Sequence, residues 1–98
     1  MTALAVAGTK TNSIELGTAV LPIQLRHPHG LASQALTTQA ACNGRFTLGL
    51  GLSHKIVSEG MWGISFERPT HRMVEYLDAA LPLLAGETLA PAPLPLAL

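Results

Sequence analysis

The chain is short of charge. Only 12% of its 98 residues are Asp, Glu, Lys or Arg, against 48% hydrophobic ones. A free-standing domain of this size has much surface to cover and normally carries more charge. Strands buried on both faces inside a larger α/β protein have this composition. The charges also cancel, six basic against six acidic. No basic stripe is left to neutralise phosphates, which argues against a nucleic-acid partner. Cysteine is nearly absent. The single Cys42 has no partner for an internal disulfide, which fits a reducing compartment. Its expected place is a small buried site near a helix end. No apolar run approaches the ~20 residues of a membrane helix. Met1–Gly8 is apolar, lacks a basic start and is too short for a secretion signal. The reading is a cytoplasmic chain with no membrane partner.

Two stretches organise what is there. IELGTAVLPIQLRHP (Ile14–Pro28) and RFTLGLGLSH (Arg45–His54) each read as a short buried strand running into a loop. Ile14–Leu21 is rich in apolar and β-branched residues, and Pro22 is expected to end that strand. Pro28 suits the first position of a helix, where a missing N–H costs nothing. Leu31, Ala32, Ala35, Leu36 and Ala40 then recur at helical spacing, and Asn43-Gly44 offers a left-handed stop. In the second strand Phe46, Leu48, Leu50 and Leu52 point one way, and Thr47, Gly49, Gly51 and Ser53 the other. The bulky side is for helices to cover; the small side allows a close approach to the backbone.

His54–Arg68 reads as a long loop, and such loops are more often functional than idle. Pro69 opens the last helix, with Met73, Val74, Leu77, Leu81 and Leu84 as its apolar stripe; Pro82 is expected to kink it and Gly86 to close it. At the other end, Thr2–Ala7 reads as helical with Gly8 as its stop. The first 87 residues form one unit, and 88–98, with a proline at every other position from 91 to 95, is expected to be a disordered tail.

The order strand, helix, strand, helix is that of a parallel α/β sheet, and the crossover between parallel strands is right-handed. Both loops that leave the strands then open on one face, where function sits in such folds. Arg26, His27, Ser53, His54, Lys55 and Glu59 belong to that face. Asn43-Gly44-Arg45 belongs to the opposite end, where residues serve stability. Two strands cannot close a barrel, so their open edges are available for self-association.

Two sharper motifs fail. Gly49-x-Gly51 lacks the third glycine of a dinucleotide fingerprint, since His54 stands there, and no helix is expected directly after it. His27 and His29 are two apart, but no Cys, Asp or Glu stands near to complete a shell, so no metal is assigned. Arg26 suits pairing with a carboxylate or phosphate, or a structural salt bridge. Trp62 and Phe66 either pack the loop down or line a substrate pocket.

At these same residues the chain resembles the bacterial luciferase-like monooxygenase superfamily, in its branch of deazaflavin-dependent oxidoreductases. The resemblance spans about Thr2–Glu87. It rests on IELGTAVLPIQLRHP, GRFTLGLGLSH and the EGMWGISFERP stretch before a helix with Met73, Glu75 and Tyr76. It implies a fragment of a (β/α)8 TIM barrel, from the end of its second helix through its fourth. It further implies hydride transfer between a small organic substrate and coenzyme F420, with FMN as the alternative cofactor. A non-catalytic truncated fragment of such an enzyme is the rival reading. In relatives the first strand ends in a bulge with a non-proline cis peptide behind the ring, which maps onto Ala19-Val20. Gly51, Leu52 and Ser53 would also border the cofactor. His54 stands where some relatives place an acidic proton donor, a task open to histidine, and Trp62 would face the substrate.

Overall fold

A computed structural model of the chain describes residues 1–86; the expected proline-rich tail, 88–98, lies outside the described residues. A first helix, α1 (Thr2–Thr9), leads to two short strands, β1 (Leu16–Gly17) and β2 (Leu21–Pro22), and a 3-10 turn (Ile23–Leu25). Then come α2 (Pro28–Ala41), strands β3 (Phe46–Thr47) and β4 (Leu50–Gly51), a short helix α3 (Lys55–Gly60) and finally α4 (Pro69–Leu84).

Both strand pairs are parallel, as the element order predicts. β1 pairs with β3, Leu16 opposite Phe46 and Gly17 opposite Thr47. β2 pairs with β4, Leu21 opposite Leu50 and Pro22 opposite Gly51. Each expected single strand is therefore interrupted. Between the two pairings, Thr18, Ala19 and Val20 face only Leu48 and Gly49. One extra residue on one strand is a β-bulge, and it breaks the regular ladder. The bulge lies within the strand region, and the Ala19-Val20 peptide is cis. Pro22 does not end the strand before it but is its last paired residue; a parallel partner on one side leaves its missing N–H harmless.

The bulky side of the second strand meets the helices. Ile23, Leu31, Tyr76 and Ala80 form one buried cluster, flanked by Leu21, Leu48, Leu50, Leu52 and Met73. Ala35, Cys42 and Phe46 form another, flanked by Leu4, Leu16, Leu48 and Leu84. Cys42 is fully buried at the end of α2, as its size suggests. α2 starts at Pro28 and ends through Asn43 and Gly44, both left-handed (φ 53° and 82°). The Gly44 N–H reaches back to the Gln39 carbonyl at 3.0 Å, which satisfies one of the last carbonyls of the helix.

Several faces differ from the expected ones. In α2, Leu36 and Ala40 are exposed, and Thr38 is buried instead, its hydroxyl donating to the Gln34 carbonyl at 2.8 Å. In α4 the buried residues are Tyr76, Ala79 and Ala80, while Val74 and Leu81 are exposed and Met73, Leu77 and Leu84 only half-buried. The two helices pack on each other. Leu31 of α2 and Tyr76 of α4 fill the core there beside Ala80. α1 extends past Gly8, which is interior to the helix and buried. α4 continues through Pro82 to Leu84, and Gly86 follows with φ 85°. The stretch His54–Arg68 is not all loop, because α3 begins one residue after His54. Among the described residues no helix is long and apolar enough to cross a membrane.

Candidate functional site

Because the strands run in the same sense, β2 and β4 end on one rim. Gln24, in the turn after β2, donates its Nε2 hydrogen to the carbonyl oxygen of Leu52, just past β4. That bond ties the two rim segments together across 28 residues of sequence. A cavity opens beside it. Ile23, Gln24, Arg26, His27 and Leu52 form one wall, and Ile64, Ser65, Phe66, Pro69 and Arg72 the other.

The second wall is shaped by α3. Ser58 is fully buried, its hydroxyl donating to the Ile64 carbonyl at 2.8 Å, while the Ile64 N–H returns to the Ser58 carbonyl at 2.9 Å. Glu59 accepts the Phe66 N–H at 3.1 Å. Ile64 and Phe66 are thus held against the rim by hydrogen bonds whose partners lie one helical turn or more away.

Electrostatically the cavity is one-sided. Arg26 donates to the amide oxygen of Gln34 at 2.8 Å, and Arg72 to the Glu67 carbonyl at 2.9 Å. Among the described residues neither guanidinium forms an ion pair and no Asp or Glu lines these walls, although Arg72 borders Glu67 and Glu75 on its other side. Arg26 therefore pairs with a neutral group, not with the carboxylate its charge suggests. A cavity with apolar walls and two cations retaining free N–H groups can take a flat or branched organic group that ends in a negative charge. Tyr76 lies fully buried in the adjacent core, its hydroxyl without a partner. Burial pushes its phenol up to about 12, against the opposing pull of the Arg26 charge.

The residues assigned from the sequence spread along the same rim. Ala19 and Val20 form the exposed part of the bulge, and Val20 leans over Gly51 so closely that a Cβ at position 51 would run into its Cγ2. Leu52 lines the cavity. Ser53 follows with left-handed backbone (φ 59°), and His54 is the exposed residue capping the start of α3. Trp62 is half-buried after α3 and is not among the lining residues. His27 accepts the His29 N–H through Nδ1 at 3.1 Å, and the two rings stack with centroids 5.6 Å apart. Gln24, Ser65 and Arg72 are the polar lining residues that the sequence did not flag, and Ile23 and Ile64 the apolar ones. Arg72 had one available signal: it sits in the first turn of a helix that begins near the rim.

Parallel strands alternating with helices, with the strand ends on one rim, match the plan of a segment of a (β/α)8 barrel. Comparison with known proteins agrees. The profile of the family described as Luciferase-like monooxygenase matches residues 1–92, and the chain belongs to that family. It is 39% identical over 87 residues to a putative coenzyme F420-dependent oxidoreductase of Mycobacterium tuberculosis, covering 89% of this chain and 25% of that protein. It is 34% identical over 84 residues to the 4-hydroxyprotoasukamycin monooxygenase of Streptomyces nodosus subsp. asukaensis, with 86% and 23% covered. A third relative is the 5,10-methylenetetrahydromethanopterin reductase of Methanolobus tindarius, 37% identical over 84 residues, with 86% and 26% covered. The chain spans about a quarter of the length of these curated relatives. No solved structure matches it significantly.

Proposed function

We propose that this chain supplies the cofactor-facing rim of an oxidoreductase that moves hydride between a small organic substrate and coenzyme F420. The observation that carries the reading is the pairing of Val20 with Gly51. An apolar side chain, 55% exposed, stands over a glycine at the strand ends, beside a cavity with two unmatched guanidinium groups. Gly51 makes room for Val20, since a Cβ there would displace it, and the exposed side of Val20 is the apolar surface on which a flat heterocycle would rest. Ala19, Val20, Gly51, Leu52 and Ser53 would border the ring, and Arg26 and Arg72 would attract anionic parts of the ligand. Bound deazaflavin would supply the hydride chemistry; the protein contributes position and exclusion of water. His54, exposed at the rim, would hold or give a proton, and Trp62, outside the cavity lining, would meet only a substrate that extends beyond the cavity. Self-association belongs to the same proposal, since each strand pair has two strands and its outer edges are unpaired among the described residues.

The test is a titration of the chain with oxidised and reduced coenzyme F420, followed by absorbance and fluorescence. Saturable binding is expected. Absence of binding, while a full-length F420-dependent relative binds under the same conditions, would leave the non-catalytic fragment as the reading. A flavin-dependent monooxygenase is the second reading, favoured by the monooxygenase among the relatives. The same titration with FMN separates the two.

A further inference from the structure

One side chain spans the bulge. Thr18 donates its hydroxyl hydrogen to the Gly49 carbonyl at 2.8 Å and accepts the Gly49 N–H through the same oxygen at 2.8 Å. Regular pairing stops at Gly17 and Thr47 and resumes at Leu21 and Leu50. The hydroxyl therefore stands in for a main-chain acceptor at the Gly49 N–H and is a second donor to the Gly49 carbonyl. The Gly49 carbonyl also accepts the Leu21 N–H at 2.8 Å, where the second pairing begins. Two residues beyond Thr18, the Val20 side chain rests over the glycine face: a Cβ at Gly51 would overlap its Cγ2, and one at Gly49 would stand 3.4 Å from its Cγ1 and overlap the Thr18 carbonyl.

We infer that Thr18 is a positioning residue, which together with the bare backbone at Gly49 and Gly51 sets the height of the Val20 side chain and thereby the ring that the rim accepts. The inference rests on the proposed cofactor site for its consequence, but its geometry stands apart from it. The two glycines differ in kind. At Gly49 an added methyl meets backbone, which cannot yield cheaply. At Gly51 it meets a half-exposed valine side chain, which can rotate outward. Position 51 is therefore the one at which ring fit can be changed with the fold kept.

The experiment compares the intact chain with Thr18→Val, Thr18→Ser and Gly51→Ala. The readouts are the Val20 methyl and Gly49 amide resonances by NMR, and the affinity for oxidised coenzyme F420. Thr18→Val keeps shape and loses both hydrogen bonds; it should shift both sets of resonances and weaken affinity about tenfold. Thr18→Ser keeps the hydroxyl and should restore both. Gly51→Ala should move the Val20 methyls while leaving the Gly49 amide in place, and it carries the test should Thr18→Val not fold. Unchanged Val20 methyls in Thr18→Val, or in Gly51→Ala where that variant carries the test, would overturn the inference. If the wild-type chain binds no coenzyme F420 yet the resonances shift as stated, the cofactor reading falls and the positioning role stands.

Discussion

Gly8 and Cys42 are in direct contact across the α1–α2 seam: a Cβ at residue 8 would lie 2.9 Å from the Cys42 Cα and 3.2 Å from its Cβ. Cys42 is fully buried there, and its thiol points at the Leu4 carbonyl, 3.6 Å away. Gly8→Ala should therefore destabilise the chain despite the better helix propensity of alanine. Overpacking costs about 1–3 kcal/mol, and propensity returns up to about 1 kcal/mol. Denaturant midpoints give the sign. Adding Cys42→Ala, which removes the sulfur, should recover part of the loss, and a double-mutant cycle would measure the coupling.

Arg45 closes the same end of the molecule. One terminal nitrogen donates to the Thr11 hydroxyl at 3.1 Å and the Ile14 carbonyl at 2.8 Å, and the other to the carbonyls of Gly8 at 2.8 Å and Thr11 at 3.0 Å. A lysine ammonium cannot span that set, because its donors radiate from one atom. Arg45→Lys should cost about 2 kcal/mol and release the amides of α1 to hydrogen exchange. Unchanged protection in α1 would contradict the role assigned to Arg45.

Tyr76 predicts a pH dependence. Its phenol is raised from 10.0 to about 12 by burial, so the folded state keeps its proton where the unfolded chain has lost it. Stability from this group is complete below pH 10 and falls as pH climbs toward 12, by on the order of 2 kcal/mol. Tyr76→Phe should remove that part of the decline when unfolding is followed across the alkaline range. At neutral pH the variant should be no less stable by more than about 0.5 kcal/mol, since the deleted hydroxyl has no partner.

Ser58 governs the second wall of the cavity. Ser58→Ala leaves the Ile64 carbonyl without its donor and should cost about 1 kcal/mol. Faster exchange at the Ile64 amide is the direct check. A weaker grip on any ligand in the cavity should accompany it, because Ile64 and Phe66 line the wall.

Much of the plan was legible in the chain because its signals are local. Pro28 and Pro69 open helices, and Gly44 takes a left-handed turn, through dihedral preferences that need no distant partner. The alternation from Phe46 to Leu52 marked the side that meets the helices. The faces of α2 and α4 were not legible in the same way. Leu36 and Leu81 fit an apolar stripe by spacing yet stay exposed, while Ala80 and Thr38 are buried, since the buried face is set by where neighbouring elements pack and not by spacing alone. The short helix α3 escaped notice because its six residues carry almost no periodic pattern. Gln24 escaped it because nothing local distinguishes a cavity-lining polar residue from a solvated one, and Arg72 because its place in the first turn of α4 points to the rim only once the fold is known.

By itself the amino-acid order determined direction: two strand segments separated by a helix must run the same way, so Leu21 and Leu50 end on a shared rim. Only tertiary structure decided the register, with three residues facing two at Thr18–Val20, and which polar groups meet across it. The reason is physical. Direction follows from the length and handedness of one connection, whereas register depends on which side chain, here the Thr18 hydroxyl against Gly49, satisfies backbone groups 31 positions away.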